Sequence, residues 1–322
     1  MLAIGLGCHN QAAVCRQVSP LQYAAREVRR ETRVDSRSFL SRPVALVCDE
    51  TRVFILDMDD DDIKVFSRSG VFEYTIGRKG QGPGELHLPS SLDILGGRLY
   101  VADSANRRVQ VLDTKGGYIS SFSVSFSPQR VMALEPDRIV VLSLPSGREG
   151  QEKVLHGFDG KGQLLWEAGD SYFSRDSVYD LMRNRWFIFR APGGEFLLVP
   201  GADGRIIRRL DADGALLGET EVTGKYLSQA VEIPAGGGKK RTLRTLCWNC
   251  ASDREKLFLL VPERTDDGDL GPGKTIAVID KAGGLEATIA VPERLTRIAV
   301  DGNTLFSIDI DSGLRIFKLE PR

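Results

Sequence analysis

Short apolar strands alternate with polar turns along most of this chain. Three stretches that begin at Pro43, Pro89 and Pro128 can be aligned. Each contains an alternating strand, a turn, an apolar strand (VFIL, LYVA or IVVL), a polar turn, an alternating strand, a glycine turn and a fourth strand. Four short strands that recur about every 40–50 residues are typical of propeller blades.

Three further copies of this pattern are less regular. The stretch GEFLLVPGADGRIIRRLDADGALLGETEV supplies three strands of a fourth blade, and the stretch that begins KLFLLV supplies a fifth. The final stretch, RLTRIAVDGNTLFSIDIDSGLRIFKLEP, supplies only three strands of a sixth. We therefore predict an all-β, six-bladed β-propeller over residues 22–322, built from four-stranded antiparallel blades.

The incomplete sixth blade predicts how the ring closes. A segment before Pro43, in particular residues 27–34, is expected to pair with the strand that contains Ile316, Phe317 and Leu319. Without such a strand the last blade would expose a long unpaired edge. The alternative for residues 21–34 is a basic amphipathic helix.

The glycine-rich stretch GRKGQGPGELHLP (77–89) raises the question of a phosphate-binding loop. A P-loop needs lysine and a hydroxyl residue after its last glycine, but Gly82 is followed by Pro83 and Gly84. A dinucleotide loop opens a helix, whereas two strands follow here. We interpret the run as the connection between two blades, in which glycine permits positive φ angles.

The second repeat resembles an NHL repeat, and the resemblance rests on a defined motif. Glycines 77, 80, 82 and 84 lead through Glu85-Leu86 to Pro89, and LYVADSANRRVQVLD (99–113) then leads to Gly116. Blade two matches almost position for position, blades one and six match in outline, and blades three to five match only in strand pattern. The resemblance implies a six-bladed propeller of the kind found in bacterial exported proteins and lipoproteins. Asp103, Asn106 and Arg108 are expected to have a structural role in the turn, with Arg108 paired to Asp103.

The charge balance argues against several classes of partner. The 322 residues include 43 Lys and Arg against 44 Asp and Glu, which gives a net charge of −1. This balance provides no general attraction to nucleic acid or to an anionic membrane. No apolar run approaches the roughly 20 residues of a membrane-spanning helix. We expect a monomer without a cofactor, which reaches a membrane only through a lipid anchor.

The N-terminus suggests two locations. The run MLAIGLGC could be the end of a secretory leader (1–21) whose start lies upstream, with Cys8 as a lipidated residue. A lipobox would have leucine where Gly5 stands, and no basic residue precedes the run. An exported protein, periplasmic or lipid-anchored, is therefore one prediction, and a cytoplasmic protein with a disordered N-terminus is the other.

Candidate catalytic chemistry is sparse. The five cysteines include one C-x-x-C pair, Cys247 and Cys250, which lacks the further ligands of a zinc site and is expected to be buried strand residues. His87 and His156 fall in different parts of their blades, so no histidine cluster is expected. We predict no catalytic or metal-binding residues. The alternative is a metal-dependent lyase or lactonase-type enzyme with its site in the central channel.

Loop direction predicts the binding face instead. In a four-stranded blade, the turn between the second and third strands lies on the same rim as the connection to the next blade, and function is expected on such loops. Blades five, six and one carry acidic turns there, and the opposite sector is basic. The predicted contact residues of these turns and sectors are Asp59, Asp60, Asp61, Asp62, Asp309, Asp311, Arg78, Lys79 and Arg107.

Two long insertions reach the same rim. Residues 167–186 join blades three and four, and the predicted contacts among them are Tyr172, Phe173 and Tyr179. Residues 222–246 join blades four and five and contribute Lys239 and Lys240. Connections of this length are usually functional or disordered. We predict a non-catalytic binding or scaffold protein that recognises a protein segment or an oligosaccharide on this rim.

Overall fold

The computed structural model describes residues 21–31, 38–145, 152–173, 177–202, 204–223, 229–235, 239–253, 255–280 and 282–321. The chain folds as an all-β propeller, as predicted. Blade one contains β2 (Pro43–Cys48), β3 (Arg52–Asp57), β4 (Asp62–Ser67) and β5 (Phe72–Ile76), and blade two contains β6 (Pro89–Leu95), β7 (Arg98–Asp103), β8 (Arg108–Asp113) and β9 (Tyr118–Ser123). Blade three contains β10 (Pro128–Glu135), β11 (Arg138–Ser143), β12 (Lys153–Asp159) and β13 (Leu164–Asp170), and blade four contains β14 (Trp186–Arg190), β15 (Phe196–Pro200), β16 (Ile206–Leu210) and β17 (Leu216–Glu221). Blade five contains β20 (Asn249–Ser252), β21 (Leu257–Arg264), β22 (Leu270–Ile279) and β23 (Leu285–Ala290), and blade six contains β24 (Leu295–Asp301), β25 (Thr304–Asp309), β26 (Leu314–Pro321) and β1 (Leu21–Glu31).

The inner strands close the ring. Strands β2, β6, β10, β14, β20 and β24 contact one another in that order, and β24 contacts β2. An apolar cluster fills the space between each pair of neighbouring blades; the one between blades one and two includes Phe54, Leu56, Leu99 and Val101. Each blade has two apolar faces, so only the closed ring buries both.

The N-terminal strand completes the last blade. β1 runs antiparallel to β26, with Glu27 opposite Phe317 and Ala25 opposite Leu319. This pairing confirms the predicted closure and excludes a helix for residues 21–31. The strand begins earlier than residue 27, and residues 32–34 lie outside the described part of the chain.

β1 also makes a pairing that the sequence pattern does not predict. Its first residues run parallel to β23, the outer strand of blade five, with Tyr23 opposite Ile289. Blades five and six are therefore joined through β1 into one eight-stranded sheet. Arg315 reinforces the junction, because its guanidinium, only 1% exposed, bonds to Glu27, Glu293 and Asp309.

Both ends of the connection between blades three and four differ from the sequence prediction. The insertion predicted at residues 167–186 begins with the end of β13, and Trp186 is the first residue of β14, the inner strand of blade four. The remaining connection contains a short helix, α1 (Ser177–Arg183). The connection after blade four forms a hairpin of β18 (Gln229–Ala235) and β19 (Lys239–Thr245).

The glycine run at residues 77–89 connects β5 to β6 and precedes no helix, as interpreted. Gly77 and Gly84 have φ angles of 83° and 77°. The run is held by blade two, since Arg108 donates hydrogen bonds to the carbonyls of Gln81, Gly82 and Glu85. It is a structural link between blades.

The blade-two turn confirms the structural role predicted for its polar residues. The Asp103 carboxylate, which is fully buried, accepts from Arg108 Nε at 2.7 Å and from Asn106 Nδ2 at 2.8 Å. It also accepts from the His87 backbone N–H, which belongs to the incoming connection. Asp57 does the same in blade one, accepting from the backbone of Ser41 and Arg42.

Candidate functional site

One rim carries both the inter-blade connections and the turns between second and third strands; we call it the connection rim. Its connections are residues 77–88, 124–127, 171–185, 222–248 and 291–294, and its turns include 58–61, 104–107 and 310–313. All of the predicted contact residues that the structure describes belong to this rim or to strand ends beside it. They differ in how far their side chains are already engaged.

The acidic turn of blade one is bonded mainly to its own lysine. Lys64, with 3% of its side chain exposed, donates to Asp60 at 2.7 Å and to Asp62 at 2.9 Å. Burial opposes the charge of Lys64, but the hydrogen bonds to both carboxylates raise its pKa overall. Burial raises the pKa of Asp62, whereas hydrogen bonds from Lys64 and Ser41 outweigh burial and lower the pKa of Asp60. The turn therefore presents less net charge than its sequence suggests.

The other two acids of this turn have contrasting surroundings. Asp61 is 2% exposed and accepts the Leu88 backbone N–H, so it fastens the connection to blade two. Asp59 is exposed and pairs with Arg42 at 2.8 Å. Asp59 remains accessible to a partner, but the buried carboxylate of Asp61 does not.

Blade six repeats this division of roles. Asp309, which is 3% exposed, accepts from Arg315 Nε at 2.6 Å and from the backbone N–H groups of Asp311 and Gly313. Asp309 thus forms the turn itself. Asp311 is exposed at the tip of the turn.

The basic sector is more open to solvent. Arg78 pairs with Glu85 at 2.8 Å, and 80% of its side chain is exposed. Lys79 is exposed, with its Nζ 3.9 Å from Asp61. Arg107 is also exposed and has a positive φ of 48°. These three side chains can contact a partner without breaking a buried bond.

The connection from blade three to blade four forms an aromatic wall, which we define as residues 171–173 and 177–185. The rings of Tyr172 and Tyr179 meet edge to face with centroids 5.7 Å apart, and Arg183 lies 3.8 Å from the centre of the Tyr172 ring. Tyr179 is 8% exposed and packs against Ala202 of blade four. Asn184 fastens the start of the wall by bonding both the N–H and the carbonyl of Tyr172.

Within the aromatic wall, the three predicted contact residues take different positions. Tyr179 supports the wall from inside. Tyr172 and Phe173 are only partly buried. The latter two are therefore better placed to meet a partner.

The β18–β19 hairpin forms a second wall, the hairpin wall. Thr245 of β19 forms a bridge with Ala202, the residue against which Tyr179 packs. On the other strand, the Ala230 carbonyl accepts from Arg264 of blade five at 2.9 Å. Lys239 and Lys240 begin β19, opposite Ala235 and Pro234.

The inner strands line a central channel of about 770 Å³. Arg190 lies inside it, and both of its terminal nitrogens are bonded. Its guanidinium donates to both carboxylate oxygens of Asp93, at 2.5 and 3.1 Å, and to the carbonyls of Ala133 and Ile94. Its charge is balanced within the protein. This ion pair ties blade four to blade two across the channel.

Three other arginines lie at the end of the channel nearest the connection rim: Arg130 and Arg297 near the starts of β10 and β24, and Arg185 just before β14. We call them the arginine triad. Burial and the neighbouring Arg185 lower the pKa of Arg130 to about 10, and the same two causes lower the pKa of Arg297 to about 10. Burial also lowers the pKa of Arg185.

The triad is not among the residues predicted from the sequence, because its members come from three blades. A signal exists in the repeats: arginine is the third residue of two inner strands, in PQRV and LTRI, and precedes the inner strand of blade four. Side chains at the start of an inner strand point toward a shared axis once the ring is closed. The register of the blades must be known before this signal has meaning.

The cysteine pair beside the channel is buried, as predicted. Cys247 and Cys250 are 0% and 6% exposed, but only Cys250 is a strand residue, in β20. Burial raises the pKa of Cys250 well above its usual range. Both residues contribute to the apolar cluster between blades four and five.

No group of three His, Cys, Asp or Glu residues that could hold a metal ion occurs among the residues the structure describes. His156 lies in the third strand of blade three, between Glu167 at 2.9 Å and Ser143 at 3.1 Å. Burial lowers its pKa. In the same described ranges, no helix is long and apolar enough to cross a membrane.

Comparisons with known proteins agree on the fold. A family model described as a 6-bladed beta-propeller (DUF5128) matches residues 36–140. No curated protein matches the sequence.

Three solved structures have the same architecture over most of the chain. A Bacteroides fragilis protein, named as a presumed exported protein, is 13% identical, with a TM-score of 0.63 over 94% of this chain and 96% of its own. Virginiamycin B lyase from Staphylococcus aureus is 12% identical, with a TM-score of 0.54 over 93% and 100%. The Cps50 (Swd1) propeller domain from Myceliophteria thermophila is 8% identical, with a TM-score of 0.54 over 92% and 100%.

At such low identities these likenesses concern the fold alone. They include a lyase and a propeller domain without a named reaction, so they do not select a function. The chain is a six-bladed β-propeller.

Proposed function

We propose that this protein is a non-catalytic binding propeller that holds a protein segment or an oligosaccharide on the connection rim. One observation carries the proposal: the aromatic wall and the hairpin wall are both fixed to Ala202 on this rim. Short links such as residues 124–127 would suffice to join blades. Two long connections that form defined elements on one side are typical of a binding face on a rigid scaffold.

The side chains that supply the contacts are those that are accessible without loss of a buried bond. They are Asp59, Asp311, Arg78, Lys79, Arg107, Tyr172 and Phe173. Lys239 and Lys240, which begin β19, add basic charge to the hairpin wall in this proposal. Aromatic side chains bury a large area at a small entropic cost, which suits an anchor. The charged groups around them orient the partner more than they add affinity.

The proposal can be tested by screening the wild-type protein against a displayed peptide library and against a glycan array. Tyr172→Ala is expected to speed dissociation of the selected binder, with a loss of about 1–2 kcal/mol if the ring is an anchor. Asp59→Asn is expected to slow association of a basic binder and to reduce its salt dependence. Glu50→Ala, on the exposed turn of the opposite rim, is the matched control.

The screen distinguishes the two partner classes, because peptide binders and glycan binders come from separate arms. Cross-linking or hydrogen exchange then maps the footprint. A footprint on the opposite rim or the outer wall, with both rates unchanged in Tyr172→Ala and Asp59→Asn, contradicts the assigned face. So does the absence of any binder in both arms.

We also propose that the protein is exported. This proposal rests on the apolar run that ends in Cys8, which lies outside the described residues. If the natural start lies upstream, Cys8 is expected to carry the lipid. Fractionation that finds an unprocessed N-terminus in the cytoplasm would contradict this proposal.

A further inference from the structure

The arginine triad has many unused hydrogen-bond donors. A guanidinium has five N–H groups. Arg130 donates one hydrogen bond, to the Trp186 carbonyl at 2.7 Å, and Arg185 donates one, to the Trp248 carbonyl. Arg297 donates two, to the carbonyls of Val44 and Thr296, each at 2.8 Å. Most donors of the triad therefore have no partner among the described residues.

The triad also lacks a balancing carboxylate. Within the described ranges, no Asp or Glu oxygen lies within 4 Å of any of the three guanidinium groups, in contrast to Arg190, which is paired with Asp93. Their charges act on one another: Arg185 lowers the pKa of both Arg130 and Arg297. Like charges close together in a partly buried site destabilise the folded state unless an anion binds between them.

Aromatic rings hold two of these guanidinium groups in place. Arg130 and Arg185 lie 4.2 and 5.4 Å from the centre of the same ring, Phe187. Arg185 also lies 5.6 Å from the Trp248 ring, whose buried Nε1 has no hydrogen-bond partner in the described part of the chain. Stacking on an aromatic face fixes the guanidinium plane and leaves its N–H edge available.

We propose that the arginine triad binds a compact oxyanion group, a carboxylate or a phosphate, of a small ligand that occupies the central channel. Arginine pairs with both groups through two parallel N–H···O bonds. A channel of about 770 Å³ falls in the range of small-molecule sites, about 300–1,000 Å³. This site is separate from the partner proposed on the rim and does not depend on it.

The test is direct binding of two small anions to the wild-type protein by titration calorimetry, at constant ionic strength with chloride as the background. Inorganic phosphate probes the phosphate form and malonate probes the carboxylate form. Saturable binding of either anion is the expected result, and the stronger of the two identifies the class. Absence of saturable binding of both overturns the proposal.

Substitution of single arginines then tests whether the anion binds at the triad. Arg130→Gln and Arg297→Gln are each expected to weaken anion binding about tenfold or more, because each removes charge-assisted hydrogen bonds. Arg138→Gln is the matched control, since it removes the same charge from an exposed ion pair with Asp213 outside the triad. If the two channel variants bind as tightly as the control, the three arginines serve only as clamps between blades and the proposal is wrong.

Discussion

Removal of β1 is expected to destabilise the whole ring, because this strand is the outer strand of the last blade and covers the edge of β26. The change to make is deletion of residues 1–31, and the matched control is deletion of residues 1–20, which leaves β1 intact. Tyr23 and Ala25 pack on the apolar cluster that contains Phe317 and Leu319. Deletion would expose that part of the cluster and the edge of β26.

The size of the effect can be worked out from these contacts. Phe317 and Leu319 are 1% and 7% exposed in the intact protein. Full burial of such a side chain contributes about 1.5–3 kcal/mol, so uncovering both removes up to about 3–6 kcal/mol. Loss of Glu27 also takes one carboxylate from the buried Arg315. An effect near 5 kcal/mol is a large share of the about 5–15 kcal/mol that stabilises a typical domain.

Urea denaturation followed by intrinsic fluorescence measures this difference. The 1–31 deletion is expected to unfold at a much lower urea concentration than the 1–20 deletion, or to fail to fold. Equal midpoints and equal slopes for the two proteins would show that β1 contributes nothing to closure. That result would refute the reasoning about the last blade.

Three further predictions follow from single side chains. Gly162→Ala is expected to destabilise the protein by more than about 1 kcal/mol, since the φ of Gly162 is +83° and an added Cβ would lie 2.2 Å from Phe122. Gly193→Ala is the control for backbone strain alone, because Gly193 has a φ of +80° and nothing lies within 4 Å of an added Cβ. Equal melting temperatures for the two variants would contradict the steric argument. Burial raises the pKa of Cys48 from 9.0 to about 11, so its alkylation at pH 8 is expected to be about 100-fold slower than that of an ordinary thiol. The alkylation rate is expected to keep rising above pH 10, and a rate that becomes constant by pH 9 would disprove this prediction. Arg315→Met is expected to lower the free energy of unfolding by about 3–5 kcal/mol, since it leaves the buried carboxylate of Asp309 without its cation. A change under about 1 kcal/mol in denaturant titration would count against this prediction.

Much of the fold could be predicted from the sequence because each blade repeats a local pattern. Blade two shows this best: the spacing of Asp103 and Arg108 predicts a bonded turn, and the two side chains meet at 2.7 Å. The inner strand of blade four was harder to find. Its first residue, Trp186, follows a helix and a long connection, so neither a proline nor a regular spacing marks the strand.

The candidate site could be predicted less well, because burial and pairing depend on neighbouring blades. Asp59 and Asp61 are two residues apart in one acidic turn, yet Asp59 is exposed and Asp61 fastens the connection that leads into blade two. The arginine triad depends on three distant positions that become neighbours only in the closed ring. Composition and local spacing contain no information about such distances.

The shared eight-stranded sheet has a consequence for how the chain reaches its native state. Glu27 and Arg315, which meet at 2.8 Å, are 288 residues apart in the chain. During synthesis β1 leaves the ribosome first, but both of its neighbours, β23 and β26, come from the last blades. Contacts between such distant segments slow folding, and an unpaired strand edge favours association with other chains. β1 therefore stays without its neighbours until blades five and six have been made, so closure of the ring is the folding step most exposed to aggregation.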